Sequence, residues 1–315
     1  MKQTKKNIVW VVAFLGIGSI QVFGKPFAEG PYLGQTPPGA TAQVFAPGLI
    51  SRTGHTWESN GTFSIDGKVF LYLSDTSHYL TENTDQGWSM PTRVTGMTGS
   101  VVWSPTISPD GNSIYYSNRN LMRMDRTPQG WTVPQNLGSP LSSSANEWGF
   151  SVAADNSFYF CSHRSGGRGG CDVWYAPFID NTWPQAYNIT ALNTSSNECD
   201  PEIAPDESFM VFHSPRPGGL GRTDLYLSLR LPDDTWTSPR NLGPRVNSTQ
   251  LEFASCISPD KKYLFFTRSN GWDPRIHTAD IYWVELKDYL PDPNGPMKNY
   301  GRKTRDIGAV EKVPR

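Results

Sequence analysis

The sequence is poor in charged residues and in long apolar segments. Only 18% of its 315 residues are charged and the formal net charge is −1. This balance gives no electrostatic reason to expect a nucleic acid or an anionic membrane as a partner. After the N-terminus no apolar run is long enough to cross a bilayer. Long runs of Ala, Glu, Lys and Leu are also lacking, which argues against a helical protein.

Sequence motifs of catalysis and cofactor binding are lacking as well. The histidines form no HExxH pair, and the cysteines Cys161, Cys171, Cys199 and Cys256 do not have the spacing of a zinc site. No G-x-S-x-G motif is present, and the glycine-rich residues 166–170 lie between predicted strands instead of opening a helix. We therefore expect no metal and no cofactor, and an enzyme is the less favoured interpretation.

The N-terminus has the layout of a secretory signal peptide. Lysines precede an apolar stretch over residues 8–20, and small residues precede a cleavage site after Gly24. An uncleaved anchor is the alternative, although this stretch is short for a bilayer. We predict a signal peptide over residues 1–24 and an exported monomer, periplasmic or extracellular, that does not span a membrane once the signal is removed. Such a compartment permits disulfides.

What the sequence does contain is turns, aromatic residues and a repeat. It has 29 Gly and 26 Pro, and 12% of its residues are aromatic. A Ser-Pro-Asp-Gly turn, or a weaker copy of it, recurs before each of five aromatic runs at intervals of 44 to 54 residues. This period is close to that of a four-stranded propeller blade. The turn aspartates are Asp66, Asp110, Asp155, Asp206 and Asp260.

Each unit is predicted to contain four antiparallel strands. The fourth strand carries a Trp-x-x-Pro-x-Asn-Leu-Gly segment, seen at residues 131–138 and 236–243, and glycine-rich segments at residues 162–169 and 214–221 separate the second strand from the third. Together these motifs resemble the TolB-like, WD-repeat-like β-propeller repeats of bacterial exported proteins. The resemblance covers residues 42–286. It implies a fold and leaves the function open, because propellers host unrelated activities.

We predict an all-β fold, a single five-bladed β-propeller of four-stranded antiparallel blades over residues 42–290. The last unit lacks a fourth strand, and residues 43–50 resemble one, so this N-terminal strand should close the ring by pairing near residues 280–286. A six-bladed ring is the alternative, but it needs a further unit that we do not find. Residues 25–41 are expected to form a lead-in, and residues 291–315 a loosely ordered tail.

Several charged residues recur at equivalent positions of the blades. A Glu precedes most turn aspartates by eight residues, an Arg follows the second strand, and an Asp opens the third. One interpretation is a polar funnel for a ligand or metal. The favoured one is structural, because buried charges need partners in every blade. These repeat-encoded residues are Glu58, Glu147, Glu198, Glu252, Arg164, Arg216, Asp172 and Asp224.

Function is expected where the repeats differ. Blades 1 and 2 lack the glycine-rich loop, and blade 2 has Val102 at the Glu position, so the face that carries these loops should be shallow there. The ligand-binding candidates are Trp103, Trp272, Arg275 and His277, because exposed Trp beside charge suits a sugar or a peptide. Packing of Trp103 between blades is the alternative.

Two functions remain open at this point. The first is a non-catalytic binding or scaffold module of the cell envelope with a protein or glycan as its partner. The second is a carbohydrate-active hydrolase or lyase with its site at the channel mouth, for which a pair of carboxylates would serve as acid and base.

A disulfide between Cys161 and Cys171 is also predicted. Cys161 ends the second strand of one unit and Cys171 begins the third, so the two residues flank one loop. Cys199 and Cys256 are expected to be buried and free.

Overall fold

The computed structural model describes residues 26–52, 57–97 and 102–291. The predicted signal peptide and residues 292–315 of the predicted tail lie outside the described residues. Within these ranges the chain forms five antiparallel sheets, one short 3-10 turn at Pro31–Gly34 and no α-helix. No helix in this part of the chain has the length and apolar character needed to cross a membrane. The predicted all-β, five-bladed propeller is confirmed.

The strands are numbered in chain order and given by blade. Blade 1 contains β2 (Glu58–Phe63), β3 (Val69–Ser74), β4 (Ser77–Thr84), β5 (Gly87–Trp88) and β6 (Thr92–Arg93). Blade 2 contains β7 (Trp103–Ile107), β8 (Ser113–Ser117), β9 (Leu121–Thr127), β10 (Gly130–Trp131) and β11 (Gln135–Asn136). Blade 3 contains β12 (Glu147–Val152), β13 (Phe158–Ser162), β14 (Asp172–Ala176) and β15 (Tyr187–Asn188). Blade 4 contains β16 (Cys199–Ile203), β17 (Phe209–Ser214), β18 (Asp224–Leu229) and β19 (Arg240–Asn241). Blade 5 contains β20 (Leu251–Ile257), β21 (Tyr263–Ser269), β22 (Ala279–Glu285) and β1 (Gln43–Val44).

The turn between the first two strands is built by its Ser and Asp. In blade 2, Asp110 Oδ1 accepts hydrogen bonds from Ser108 Oγ at 2.5 Å and from Asn112 N at 3.0 Å. These bonds hold the pKa of Asp110 below its usual value. The Ser and Asp side chains thus form hydrogen bonds with polar groups of the turn that the β-sheet leaves unpaired, which is why the motif recurs in the blades.

Proline interrupts the outer strands of the first two blades. In blade 1 the outer strand is divided into β5 and β6 on either side of Pro91, and in blade 2 into β10 and β11 around Pro134. Proline has no N–H to donate, so the ladder breaks where it stands. The blades remain four strands deep.

The outer strand of blade 5 comes from the N-terminal segment. β1 pairs antiparallel with β22, with Gln43 opposite Trp283 and Val44 opposite Tyr282, and Phe45 N donates to Ile281 O at 2.7 Å. β1 is therefore the outer strand of blade 5, a position that no strand predicted after residue 285 would fill.

The five inner strands surround the channel, and each carries a β-bulge. At the bulge of blade 4, Asp200 adopts a positive φ of 47° and turns its carboxylate across the channel. Its Oδ2 accepts from Ala254 N at 3.1 Å, and Ser104 Oγ donates to Oδ1 at 3.4 Å. A Cβ on Gly149, at the bulge of blade 3, would overlap this carboxylate. The channel is filled at this level, and a cavity of about 20 Å³ remains.

Candidate functional site

The repeat-encoded Glu residues are buried and receive hydrogen bonds from their surroundings. Glu198 is fully buried and accepts from Thr194 N at 2.8 Å, Ser214 Oγ at 3.0 Å and Arg216 Nη2 at 3.0 Å. The equivalent ion pairs are Glu147 with Arg164 at 3.1 Å, Glu252 with Arg268 at 2.8 Å and, more loosely, Glu58 with Arg52 at 3.5 Å. Each carboxylate is therefore paired beside its own inner strand.

The guanidinium groups of these pairs also stack on aromatic rings. Arg216 Cζ lies 5.0 Å from the ring centroid of Phe212 and 4.8 Å from that of Tyr226. Arg164 has the same relation to Phe160 and Trp174, at 4.8 and 5.3 Å. Such contacts bury the cation without leaving it unpaired.

The repeat-encoded Asp residues fold the glycine-rich loops. Asp224 accepts hydrogen bonds from Leu220 N at 2.6 Å, Gly221 N at 2.8 Å and Asn241 Nδ2 at 2.7 Å. Asp172 has the same role in blade 3, where Gly169 N donates at 2.9 Å and Asn188 Nδ2 at 3.0 Å. These groups are occupied within their own blades.

A cleft of about 890 Å³ lies off-centre on the face that carries the loops between the second and third strands, and it is bounded by blades 5, 1 and 2. Its aromatic walls are the exposed Trp272, the half-buried Trp103 and the buried Trp57. Arg275, which is 84% exposed, stands at the rim. Three of the four predicted candidates therefore line one cavity.

His277 is the candidate that does not line the cleft. Its imidazole packs against Gly271, where a Cβ would overlap the ring, so it lies at the base of the blade 5 loop. In the same loop Arg275 Nη2 lies 2.7 Å from Asp273 Oδ2, and hydrogen bonds from Arg275 lower the pKa of Asp273 to about 2. Trp272 packs on Phe253 with ring centroids 4.9 Å apart. The aromatic ring is thus anchored while its outer part stays open.

His78 lines the same cleft and was not a sequence candidate. It is 7% exposed, and burial lowers its pKa to about 4, so the imidazole is neutral at neutral pH. Its Nε2 has no hydrogen-bond partner among the described residues. The only sequence signal was the short loop over residues 75–78 of blade 1. Arg93, exposed on β6, is a second lining residue that the sequence did not single out.

A second cavity, of about 560 Å³, opens at the channel mouth beside the cleft. Trp103 and Trp272 line both cavities, so they stand between them. On the far side Trp148 Nε1 donates to His163 Nδ1 at 3.2 Å. The mouth and the cleft together present an aromatic surface several residues wide.

Two carboxylates lie deeper in the channel, with different environments. Burial raises the pKa of Glu202 to about 8, and its Oε1 accepts one bond, from Ile257 N at 3.0 Å. Burial also acts on Asp200, but His213, with Nδ1 3.4 Å from Oδ2, together with the hydrogen bonds from Ala254 N and Ser104 Oγ outweighs it and lowers the pKa. The adjoining space of about 20 Å³ holds roughly one water molecule. A sugar ring does not fit between these groups.

All four cysteines are free thiols, so the predicted Cys161–Cys171 disulfide is not formed in the structure. Cys161 lies opposite Val173 in the β13–β14 ladder, which places Cys171 diagonally across from it. The sulfur atoms of Cys161, Cys171 and Cys199 nevertheless lie within 4.8 Å of one another. This contact between blades could not be predicted from spacing along the chain.

No protein-family model and no curated protein matches the sequence of this chain. Among solved structures, a TolB-like protein from Agrobacterium tumefaciens has a TM-score of 0.48 and 16% identity, over 73% of this chain and 78% of that one. TolB from Acinetobacter baumannii has a TM-score of 0.43 and 14% identity, and the match covers 73% of this chain and 54% of that one. The β-propeller fold that the resemblance to TolB-like repeats implies is the fold observed here. An α-L-arabinofuranosidase from Lactobacillus brevis has a TM-score of 0.48 and 11% identity, over 71% of this chain and 90% of that one.

Proposed function

We propose that this protein is a non-catalytic binding module that holds a protein segment or a glycan in the cleft between blades 5, 1 and 2. The observation that carries the proposal is the cleft itself, with about 890 Å³ of space and the indole rings of Trp103 and Trp272 on its walls. Ligand sites of this size, mostly apolar with a few polar groups, are the common form in proteins.

The polar groups of the cleft favour an uncharged or mixed ligand. Arg93 and Arg275 bring positive charge to the rim, and Asp75 and Asp273 bring negative charge. His78 lines the cleft as a neutral imidazole whose Nε2 is buried. Indole faces bind sugar rings and apolar peptide side chains, and the charged groups at the rim can bond to hydroxyl or amide groups. A glycan or an extended peptide offers both kinds of group.

The charges elsewhere on this face support binding over catalysis. The repeat-encoded Glu residues are paired with arginines and the repeat-encoded Asp residues accept amide hydrogen bonds, so these carboxylates are not free to act as acid or base. Glu202 has the raised pKa of a general acid, but it faces a space of about 20 Å³. A hydrolase needs two carboxyl groups that flank a bound sugar.

We also propose that the chain is exported, with residues 1–24 as the signal, and acts as a monomer in the periplasm or outside the cell. The basic and apolar pattern of the N-terminus supports this. Determination of the N-terminal residue of protein secreted by its host tests it, with a start near Lys25 expected. An intact N-terminus held in a membrane fraction would contradict export in this form.

The binding proposal is tested by a glycan array and a pull-down with the full chain, followed by titration of the ligand found. Trp272→Ala and Trp103→Ala should each weaken binding about 30-fold, since an anchoring Trp contributes about 2 kcal/mol. Arg275→Ala should weaken it less, because Asp273 already engages its guanidinium. His277→Ala should leave affinity unchanged, because this ring lies outside the cleft.

Trp131→Ala is the matched control, because this half-buried Trp lies on the outer part of blade 2 under Arg126. Normal affinity of folded Trp103→Ala and Trp272→Ala variants would refute the site. Turnover of an array glycan that Glu202→Gln abolishes would favour the hydrolase.

A further inference from the structure

Three cysteines from two neighbouring blades bring their sulfur atoms together below the channel mouth. The Sγ atoms of Cys161, Cys171 and Cys199 all lie within 4.8 Å of one another. Cys161 belongs to β13, Cys171 directly precedes β14, and Cys199 begins β16 of the next blade. The group is therefore assembled only when blades 3 and 4 pack, and neither the ladder nor the ligand cleft requires it.

Two hydrogen bonds hold the backbone next to the three cysteines in place. Glu198 N donates to Cys171 O at 2.8 Å, and Cys171 N donates to Asn197 Oδ1 at 3.0 Å. A Cβ on Gly170 would lie 2.6 Å from the same Asn197 oxygen, so glycine is needed for this approach. The backbone that joins Cys171 to the start of β16 is thus held by the fold before any ligand arrives, which lowers the cost of binding.

We propose that Cys161, Cys171 and Cys199 form a metal site that binds one Cu(I) ion through three sulfur atoms. Soft thiolate ligands select thiophilic ions such as Cu(I) and Zn(II). Metal–sulfur bonds of about 2.3 Å place the three sulfurs of a trigonal ion about 4 Å apart, which fits the observed limit of 4.8 Å.

The number of ligands favours Cu(I) over a structural Zn(II) ion. Structural zinc is almost always bound by four protein groups. In the part of the chain that the structure describes, no His, Asp or Glu side chain joins the three sulfurs as a fourth donor. A three-coordinate ion suits such a site better.

Proton release accompanies binding at such a group. Each sulfur that binds the ion as thiolate releases its proton to solvent, so binding should strengthen as pH rises.

An entry path is present. Cys171 and Cys199 line the cavity of about 560 Å³ at the channel mouth, and Cys199 is only half-buried. This cavity is the route by which an ion would approach the group from solvent.

The test is an anaerobic titration of the full chain, reduced with a phosphine, with Cu(I) in competition with bathocuproine disulfonate. One Cu(I) per chain should bind, and X-ray absorption should show three sulfur neighbours at about 2.3 Å. C161S, C171S and C199S should each weaken binding about 100-fold or more, since even outer partners of a metal contribute 10- to 100-fold. C256S is the matched control and should bind normally, because Cys256 is buried in blade 5 and outside the group.

Several outcomes would overturn the site. These are no binding by the reduced wild type, a stoichiometry other than one, equal binding by C199S, or tighter binding of Zn(II) than of Cu(I) under the same conditions. If the serine variants do not fold, the count of sulfur neighbours in the wild type decides. A Cys161–Cys171 disulfide in the isolated protein, found by alkylation and mass spectrometry, contradicts the proposal if its reduction does not restore Cu(I) binding.

Discussion

At the scale of the single residue, Glu202 is the side chain through which pH should act on stability. Its carboxyl lies in the channel with one hydrogen-bond donor, and burial raises its pKa from 4.5 to about 8. The folded protein therefore binds this proton more tightly than the unfolded chain does. Below a pH of about 4.5 Glu202 is protonated in both states and does not change the free energy of unfolding. As the pH rises from there towards 8, this free energy falls progressively.

Glu202→Gln keeps the shape of the side chain and removes the titration. Between pH 5 and pH 9 the wild type should lose up to about 4 kcal/mol relative to the variant, because one pKa unit corresponds to about 1.4 kcal/mol. Urea denaturation of both proteins over this pH range measures the difference, in which the titrations of all other groups cancel. Parallel curves would show that Glu202 ionises in the folded state as it does in the unfolded one.

Residues that recur with the blade could be predicted, and residues that act between blades could not. The repeated Glu and Arg residues could be identified from spacing alone, because each blade must satisfy the same buried groups, but the pairing of Glu with Arg was seen only in the structure. Cys199 meets Cys161 only through the packing of two blades. His78 became a candidate only when its neighbours were known, since a lone histidine in a short loop carries no pattern.

At the scale of the element, the β-bulge determines how the inner strands line the channel. The turns and the order of the strands could be predicted from the Ser-x-Asp and Trp-x-x-Pro signals, which act within a few residues. The bulges have no comparable signal, because their residues differ in every blade: Asn60, Ser104, Gly149, Asp200 and Ala254. The filled channel was therefore not foreseen.

The bulges of blades 3 and 4 are predicted to depend on each other. Gly149→Ala should destabilise the fold, because the new methyl group overlaps the Asp200 carboxylate. Asp200→Gly in the same chain removes the overlap with the carboxylate and leaves the one with the Cα of residue 200, at 2.6 Å, while glycine accepts the φ of 47° at this position. Denaturant unfolding of both single variants and the double variant should show a favourable coupling of about 1–3 kcal/mol. Additive effects would mean that the two bulges do not touch in solution.

At the scale of the whole molecule, the loops between the second and third strands differ in length, so the face that carries them is shallower at blades 1 and 2. The sequence predicted a shallow rim at blades 1 and 2, and the cleft lies there, with blade 5 as its other wall. The N-terminal segment contacts both the last and the first blade. Its strand β1 pairs with β22 of blade 5, and Phe45 packs on Phe70 of blade 1. Contacts of this kind join the first and last blades.

Phe45 is the side chain that carries most of this connection. It is fully buried, with ring centroids 5.0 Å from Phe265 and 5.3 Å from Trp283 in blade 5, and 5.5 Å from Phe70 in blade 1. Phe45→Ala should lower the free energy of unfolding by about 3–5 kcal/mol through lost contacts and the cavity left behind. Gln43→Ala, at an exposed position of the same strand, loses only the hydrogen bond from Nε2 to Pro38 O and should change it by about 1 kcal/mol or less. Because the segment joins the first and last blades, fluorescence and far-ultraviolet circular dichroism should report the same lowered midpoint in Phe45→Ala. A loss confined to one probe, or equal effects of the two substitutions, would show that blades 1 and 5 hold together without this strand.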